Sequence, residues 1–372
     1  MDRTTIVSKR IDWIDYFKGF ILVTVCLNHL VPYGTYTKEI LDLFNPTAMA
    51  CFFFISGILF NTRTHKTFRS YFISKTKSLF IPYVLLSLLF VTIDPCLYSD
   101  TYIQNFFPDN YREYVVINSC IPAFIHPGIS YIILQIERTF LFGLSSSITL
   151  PMWFVFTLYC VCVLFYLIQK NNYIKYFSVF LFFAVDVLLI KKNILLPFNF
   201  SVTLSALLFF FLGNEFKFYI HDYLYKFTTK NLCILSIILG VFYFLFVSQC
   251  KMVDFRINRF GDNFIIFSLS SLFGITFFVH FFYLWSKINT HKMIKKIFDI
   301  ISQNALIILP FHFYVNVCCI LMLGPLVPHY KLFTLIDVII TITLTIIAIP
   351  LFRGPLHYII MKERCSIKDV YK

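Results

Sequence analysis

Charged side chains are scarce in this sequence, and their scarcity excludes an ordinary soluble domain. Asp, Glu, Lys and Arg make up 14% of the 372 residues, whereas hydrophobic residues make up 59% and Phe alone occurs 48 times. Soluble domains carry roughly 25% charged residues. Runs of low charge recur along the whole chain, and each is long enough to cross an apolar layer of about 30 Å. The composition therefore predicts an integral membrane protein.

Several chemical signatures are absent as well. The eleven cysteines include no Cys-x-x-Cys pair and lie mostly inside apolar runs, so we expect free buried thiols and neither disulfides nor a metal site. The sequence contains no phosphate-binding Gly-rich loop, zincin helix or Gly-x-Ser-x-Gly elbow. It therefore gives no support for a nucleotide-dependent enzyme, a metallopeptidase or a serine hydrolase with these motifs.

The apolar runs predict an all-α, polytopic membrane protein with about ten transmembrane helices, because a backbone in lipid must satisfy its own hydrogen bonds. We expect one membrane-embedded domain over residues 1–372, with short tails at about 1–16 and 353–372 and an outer segment at about 99–151. The predicted spans are 17–34, 47–61, 79–98, 152–169, 175–190, 200–214, 231–249, 263–285, 300–322 and 333–352.

The distribution of Lys and Arg predicts the orientation of these helices. With the N-terminus inside, the inner segments hold 23 of the 32 Lys and Arg residues, so both termini are predicted to be cytoplasmic. The net charge of +13 then reflects topology, and we expect no nucleic-acid partner. A crossing by GISYIILQIERTFLFGLSS, which contains Glu137 and Arg138, would reverse this bias. We therefore expect this stretch to lie at the outer surface or to dip partway into the membrane.

The first predicted helix carries ionisable residues on one face. In RIDWIDYFKGFILVTVCLNHL, Lys18 and His29 are separated by eleven residues, which is about 20° from three full turns, and Asp15 lies on the same stripe. Exposure of such residues to lipid is costly, so the stripe is predicted to face a cavity or a neighbouring helix. A neutral imidazole in that place is a competent general base. The alternative is a structural histidine bonded to another helix.

The order Asp15, Lys18-Gly19 and His29 resembles the opening of the acyltransferase 3 family of membrane acyltransferases. More narrowly, the chain resembles the branch that O-acetylates sugars of cell-surface polysaccharides and glycolipids. The resemblance covers most of residues 10–350. It continues, in order, with the motifs FFFISGILF (52–60), FISKTKSLFIPYVLLSL (72–88), MWFVFTLYC (152–160), LLFFFLGNEF (207–216) and ISQNALIILPFHF (301–313).

The resemblance implies a membrane O-acyltransferase of the bacterial inner membrane. It implies transfer of an acyl group, in the first place acetyl from acetyl-CoA, to a hydroxyl of a cell-surface polysaccharide or lipid-linked glycan. His29 is expected to act as general base or to hold the acyl group in transit. Lys18 is expected to neutralise a phosphate of the donor or to orient a carboxylate, and Asp15 to pair with Lys18. The alternatives are a lysine that snorkels at the helix end and a purely structural Asp15.

Further site residues follow from this expectation. A basic cytoplasmic segment with Arg69, Lys75 and Lys77 is expected to bind the phosphates of coenzyme A, although such charges are also typical of positive-inside topology. Two of the candidate residues have a structural alternative. Ser56 with Gly57 is typical of close helix packing, and Trp153 is typical of an anchor at the membrane interface. The residues expected to contact the acceptor are Asn28, Ser56, Trp153 and His312.

Two alternatives to an enzyme stay open at this point. Polar residues inside the membrane also line transport pathways, so the chain could be a polysaccharide or lipid-linked sugar exporter without catalytic activity. Transporters often contain inverted repeats, and no such symmetry is visible in the sequence. The second alternative is an inactive family member that serves as an interaction partner, which the intact stripe of Asp15, Lys18 and His29 disfavours.

Overall fold

Helices form nearly all of the protein that the computed structural model describes. The described residues are 11–30, 36–61, 67–93, 133, 136–142, 151–251, 253–261, 263–288, 292–323, 326–327 and 330–360. Two short strands, β1 (Val253–Asp254) and β2 (Arg259–Phe260), form an antiparallel hairpin. The helices are α1 (Asp12–Leu30), α2 (Tyr36–Asp42), α3 (Asn45–Ile58), α4 (Phe68–Lys75), α5 (Ile81–Thr92), α6 (Trp153–Ile168), α7 (Asn172–Lys192), α8 (Phe200–Lys226), α9 (Thr229–Val247), α10 (Phe264–Lys287), α11 (Lys292–Gln303), α12 (Ala305–Leu323) and α13 (Tyr330–Ile360).

Many of these helices have the length and polarity of membrane spans. Within the described residues, six helical stretches are long and apolar enough to cross a membrane, and α11 with α12 adds a seventh if this bent pair is one span. The helices α3 and α6 are apolar but shorter. The helical content and these candidate spans agree with the predicted all-α polytopic membrane protein. A helix occupies each of the ten predicted spans, whereas ten crossings and cytoplasmic termini stay predictions.

The predicted span at 300–322 begins too early, because the chain bends by 88° between α11 and α12. At the bend, Asn304 donates its side-chain Nδ2 to the carbonyl of Ile300 (2.7 Å). Such local bonds offer the backbone an alternative to a continuous helix. Lys292 and Lys296 of α11 are exposed. The helices α11 and α12 therefore do not form one straight span over the predicted range.

The predicted span at 79–98 is the second half of a longer helical stretch that begins at Phe68. A π-helical turn, Thr76–Phe80, joins α4 to α5. Pro82 follows in the first turn of α5, and it has no backbone N–H to donate to the preceding turn. The interruption of the hydrogen-bond ladder at this proline accounts for the widened turn.

Two glycines allow α3 and α8 to pack backbone against backbone. A Cβ atom on Gly57 would lie 2.8 Å from the carbonyl carbon of Phe210, and one on Gly213 would lie 2.8 Å from the carbonyl carbon of Phe54. Neither helix has room for a side chain there. The close packing named as the alternative for Ser56-Gly57 is therefore present, and Ser56 Oγ donates to the Phe52 carbonyl of its own helix (2.8 Å).

The helix α1 packs against α3, α10, α11 and α12. Phe17 is fully buried and stacks on Phe282 of α10, with 5.3 Å between ring centroids. Gly19 faces the backbone of α11, where an added Cβ would lie 2.8 Å from the Cα of Phe298. The glycine after Lys18 is therefore required for the close approach of α11 to α1.

Most of the predicted outer segment at 99–151 lies outside the described residues. A π-helical turn is described at Arg138–Phe142. Thr139 in this turn is buried, and its carbonyl accepts a hydrogen bond from Tyr83 Oη (3.0 Å). This part of the segment is thus held against α5, and the surface position of the remainder stays a prediction.

Candidate functional site

A cavity of about 1020 Å³ opens where α1 ends, and we call it the His29 cavity. Its walls come from the ends of α1 and α2, the starts of α3 and α6, the middle of α12, and the loop between α9 and α10. His29, Asn28 and Trp153 all line it. Small-molecule sites commonly have volumes of about 300–1,000 Å³, so this cavity can hold a substantial polar ligand.

His29 lies in the last turn of α1, with its ring at the wall of the cavity. The ring packs edge-on against Phe313, with 5.1 Å between centroids, and lies 5.6 Å from the ring of His312. Its backbone carbonyl accepts a hydrogen bond from Asn316 Nδ2 (3.2 Å). Among the described residues, neither ring nitrogen of His29 has a hydrogen-bond partner, so both are available to a ligand.

His312 is buried directly behind His29. Its Nδ1 lies 2.9 Å from the carbonyl of Ile308, which can only accept, so Nδ1 carries a proton. Its Nε2 is buried and has no partner within the described part of the chain. In the neutral ring this Nε2 has a free lone pair. The two histidines thus form a neighbouring pair, of which only His29 reaches the cavity.

A buried lysine holds the end of α1. Lys38 of α2 is 2% exposed, and its ammonium donates to the backbone carbonyl of Asn28 (2.8 Å) and to the side-chain Oδ1 of the same residue. Asp42 lies 3.6 Å from the ammonium. Burial lowers the pKa of Lys38 from its ordinary value, and the charge of Asp42 opposes this effect. Lys38 thus satisfies carbonyl groups that the end of a helix leaves without partners.

A short hairpin loop supplies cationic groups to the cavity. Lys251, Arg256 and Arg259 line the cavity from the loop between α9 and α10. The Arg256 guanidinium pairs with Asp254 (2.9 Å). In the described part of the protein, the guanidinium of Arg259 and the ammonium of Lys251 form no ion pair. The loop therefore offers two unpaired cations to the His29 cavity, whose walls also include the carboxylates of Glu39 and Asp42.

Aromatic side chains anchor this loop and form the remaining wall. Phe255 is 4% exposed and stacks on Trp153, with 6.2 Å between ring centroids and 20° between ring planes. Phe53 packs against the other side of Phe255 at 5.7 Å. Trp153 is buried except for its contribution to the cavity wall. The cavity therefore combines charged groups with an aromatic surface.

The family model described as an acyltransferase domain matches residues 11–353 of this chain. The chain belongs to the acyltransferase 3 family. No curated protein and no solved structure matches it significantly. The match covers the whole bundle, including α1 and the His29 cavity. The protein is therefore a membrane acyltransferase, and the cavity with its accessible imidazole is the candidate active site of this acyltransferase.

The residues predicted at the start of α1 lie at the opposite end of the helix. Asp15 accepts a hydrogen bond from Ser302 Oγ of α11 (3.0 Å), so the acyltransferase uses this carboxylate in a helix contact. Lys18 is half-buried. Its separation from His29 along α1 is about 16 Å. The residues of the predicted stripe, Asp15, Lys18 and His29, therefore lie towards opposite ends of α1 and do not meet in one site.

The remaining predicted site residues are dispersed in this acyltransferase. Arg69 and Lys77 are exposed, and Lys75 lies with its ammonium 5.6 Å from the ring centroid of Tyr71. None of these three lines the His29 cavity. Ser56 is also absent from its walls. Asn28 and Trp153 line the cavity, and His312 reaches it only through its contact with His29. Contact of these residues with the acceptor stays a prediction.

Sequence reasoning missed Lys38, Asn316 and the cationic loop. One signal was available for the loop. The predicted topology leaves nine Lys and Arg residues outside, and Lys251, Arg256 and Arg259 are three of these within nine residues. Outer loops are poor in such residues, so this cluster was a candidate for function. Asn316 gave no signal, because a single amide inside an apolar run is compatible with many roles.

Proposed function

We propose that this protein transfers an acetyl group from acetyl-CoA to a hydroxyl of a cell-surface polysaccharide or lipid-linked glycan, in a bacterial inner membrane. One observation carries the proposal: His29, whose ring nitrogens have no hydrogen-bond partner among the described residues, lies at the wall of a large cavity with charged and aromatic lining, in a member of an acyltransferase family. A positioned imidazole is the usual general base for deprotonating a hydroxyl near neutral pH.

The walls of the His29 cavity favour a carbohydrate acceptor. The carboxylates of Glu39 and Asp42 can accept hydrogen bonds from sugar hydroxyls, and the guanidiniums of Arg256 and Arg259 can donate to them. Trp153 offers an apolar ring for the C–H face of a sugar. An apolar acceptor could form no hydrogen bond with Glu39 or Arg259, which have no ion-pair partner among the described residues.

The donor is proposed to enter from the other end of α1. Lys18 lies there, together with the exposed cations Lys292 and Lys296 of α11. Positive groups of this kind stabilise the phosphates of coenzyme A. With its phosphates near Lys18, the donor would place its thioester along α1 towards His29. Arg69, Lys75 and Lys77 are proposed to contribute to the same positive surface.

The proposed reaction is balanced by two proton transfers. A ring nitrogen of His29 takes the proton of the acceptor hydroxyl while the hydroxyl oxygen attacks the thioester carbonyl carbon. The carbon–sulfur bond breaks, and the departing sulfur takes the proton from His29. The products are an acetyl ester and free coenzyme A. In a second version His29 itself attacks the thioester and carries the acetyl group to the hydroxyl, with the same overall balance.

The test compares surface glycans from the wild-type cell, a deletion strain and a strain with His29→Gln, by mass spectrometry at matched protein levels. Loss of a general base lowers a rate by about 10²–10⁴-fold, so we expect the acetyl mark to disappear in both mutants. His280→Gln is the matched control. His280 is a buried membrane histidine that donates to its own helix at Thr276 and does not line the cavity.

The outcomes separate the proposal from transport. If the glycan fails to reach the surface while the acetylation of its precursor is unchanged, the exporter is supported and the proposal is wrong. If the acetyl mark persists in the His29→Gln strain, His29 is not the base. Hydrolysis of acetyl-CoA by the purified wild-type protein, and its absence in His29→Gln, would support the chemistry independently of the acceptor.

A further inference from the structure

Three polar side chains form a closed cluster between α7, α8 and the hairpin loop. Asp186 is fully buried, Ser205 is 2% exposed and Asn258 is 6% exposed. Ser205 Oγ lies 2.6 Å from Asp186 Oδ2 and 2.6 Å from Asn258 Oδ1. Asn258 Nδ2 lies 3.0 Å from Asp186 Oδ1. Each residue therefore contacts the other two, and the three contacts make a ring.

The number of protons in this ring fixes the state of Asp186. Three hydrogen bonds need three protons, one for each contact. The Ser205 hydroxyl supplies one proton, and the Asn258 amide supplies one through the nitrogen side of its head group. If the amide nitrogen and oxygen of Asn258 are assigned the other way round, the amide proton moves from the contact with Asp186 to the contact with Ser205. This exchange does not add a third proton to the ring. Asp186 must therefore donate the last proton itself, as a neutral carboxylic acid.

The surroundings agree with a neutral acid. In the described part of the chain, no Lys, Arg or His lies within ion-pair distance of Asp186. A buried carboxylate without a cation is strongly unfavourable. An ionised Asp186 would also place two lone pairs against each other in one of the three short contacts. With a proton on Asp186, every contact becomes a hydrogen bond and the ring is fully satisfied.

The ring determines where the cationic loop lies. Asn258 has a left-handed backbone conformation, with φ of 57°, at the turn between Arg256 and Arg259. Its side chain ties this turn to α7 through Asp186 and to α8 through Ser205. On the other side, Phe255 is packed between Trp153 and Phe53. The turn that carries both guanidiniums into the His29 cavity is therefore fixed from two directions.

We propose that Asp186 is a positioning residue of the acyl-transfer site, which as a neutral acid closes the ring with Ser205 and Asn258 and so holds Arg256 and Arg259 in the His29 cavity for the acceptor. This proposal rests on the proposed function, because it assigns the acceptor to that cavity. It makes a sharp distinction between two substitutions. Asp186→Asn replaces the acid O–H by an amide N–H and keeps all three bonds, whereas Asp186→Ala removes two of them.

The first test is independent of activity. The infrared difference spectrum between the purified wild-type protein and Asp186→Asn should contain the carbonyl band of a protonated carboxylic acid at neutral pH. A carboxylate band in its place would show an ionised Asp186 and overturn the proposal. This measurement does not depend on Asp186→Ala folding, because it uses only the isosteric variant.

The second test separates positioning from folding. We expect Asp186→Ala to lower glycan acetylation in cells about ten-fold, which corresponds to the loss of one to two buried hydrogen bonds. Hydrolysis of acetyl-CoA by the purified variant should stay within about two-fold of the wild-type rate. Asp186→Asn should restore acetylation to within about two-fold of the wild type. Ser205→Ala, which removes two contacts of the ring, should reproduce Asp186→Ala.

The results that would contradict the role of Asp186 differ from those that would contradict the proposed function. Asp337→Ala removes another buried carboxylate, on α13, and should not reduce acetylation relative to hydrolysis. If Asp186→Asn is as defective as Asp186→Ala, or if both activities fall together in Asp186→Ala, then Asp186 does not act by positioning the loop. If the wild-type protein itself neither hydrolyses acetyl-CoA nor acetylates glycan, the proposed function fails instead.

Discussion

Replacement of Lys38 by methionine tests whether the end of α1 is held in place for catalysis. Methionine keeps the length of the side chain but removes the ammonium that donates to both oxygens of Asn28. A fully buried acceptor left without a donor costs about 1–3 kcal/mol. Asn28 is half-buried at the cavity wall, so roughly 2–6 kcal/mol is the upper limit of the gross loss for its two oxygens. The net loss is smaller, because the variant no longer buries an ammonium whose pKa burial lowers.

This local loss should appear mainly in catalysis. His29 follows Asn28 directly, and a displacement of about 1 Å in a reacting group can lower a rate 10²-fold. We expect kcat for acetyl transfer to fall about 10–100-fold in Lys38→Met. The KM for acetyl-CoA should change less than two-fold, since the donor is proposed to bind at the Asp15 end of α1.

The assay is transfer and hydrolysis of radiolabelled acetyl-CoA by purified protein, with thermal unfolding followed in parallel. Lys191→Met is the matched control, because Lys191 is an exposed lysine in the last turn of α7. It should leave kcat unchanged. Wild-type kcat in Lys38→Met would refute the idea that this cap positions His29, and so would an equal loss of kcat in the control.

Three further substitutions probe the site and its scaffold. His312→Gln removes the imidazole behind His29 and should lower kcat about ten-fold without changing the donor KM; an unchanged kcat would mean that the neighbouring ring is dispensable. Gly19→Ala places a methyl group 2.8 Å from the Cα of Phe298 and should destabilise the protein by about 1–3 kcal/mol, measured as a lower unfolding temperature. An unchanged temperature would show that α11 can move aside. Arg259→Gln should leave stability within about 0.5 kcal/mol while glycan acetylation falls, and normal acetylation would remove Arg259 from the acceptor site.

The sequence predicted the helical membrane fold because long apolar runs have one structural solution in lipid. It predicted a helix at every span for the same reason. It could not predict the bend at Asn304, since the apolar pattern of residues 300–322 is compatible with a straight helix. At the break Asn304 donates to the carbonyl of Ile300, and α11 packs on α1, a tertiary contact that leaves no pattern in the local sequence.

Some residues of the candidate site were predicted from the sequence, and others were not. His29 was identifiable because an imidazole deep in an apolar helix needs a partner or a cavity. Asn28 and Trp153 also lie at the cavity, but Lys38 and the loop with Arg256 and Arg259 were not assigned. Their positions depend on the fold: Asn258 joins the loop to Asp186 across 72 residues of sequence. The spacing of residues in the sequence cannot predict such a contact, because it depends on how α7, α8 and the hairpin loop pack together.

The two ends of α1 are held by one continuous segment of the chain, the bent pair α11 and α12. Ser302 of α11 donates to Asp15, and Asn316 of α12 donates to the carbonyl of His29, each across 287 residues of sequence. The chain bends by 88° between these two helices. Near the start of α1, α11 contacts Asp15 and Gly19, and α12 contacts the last turn of α1 at His29. The rise of α1 itself sets the separation of about 16 Å between Lys18 and His29. A donor proposed to bind at one end of α1 must therefore reach an acceptor at the other end over about this distance.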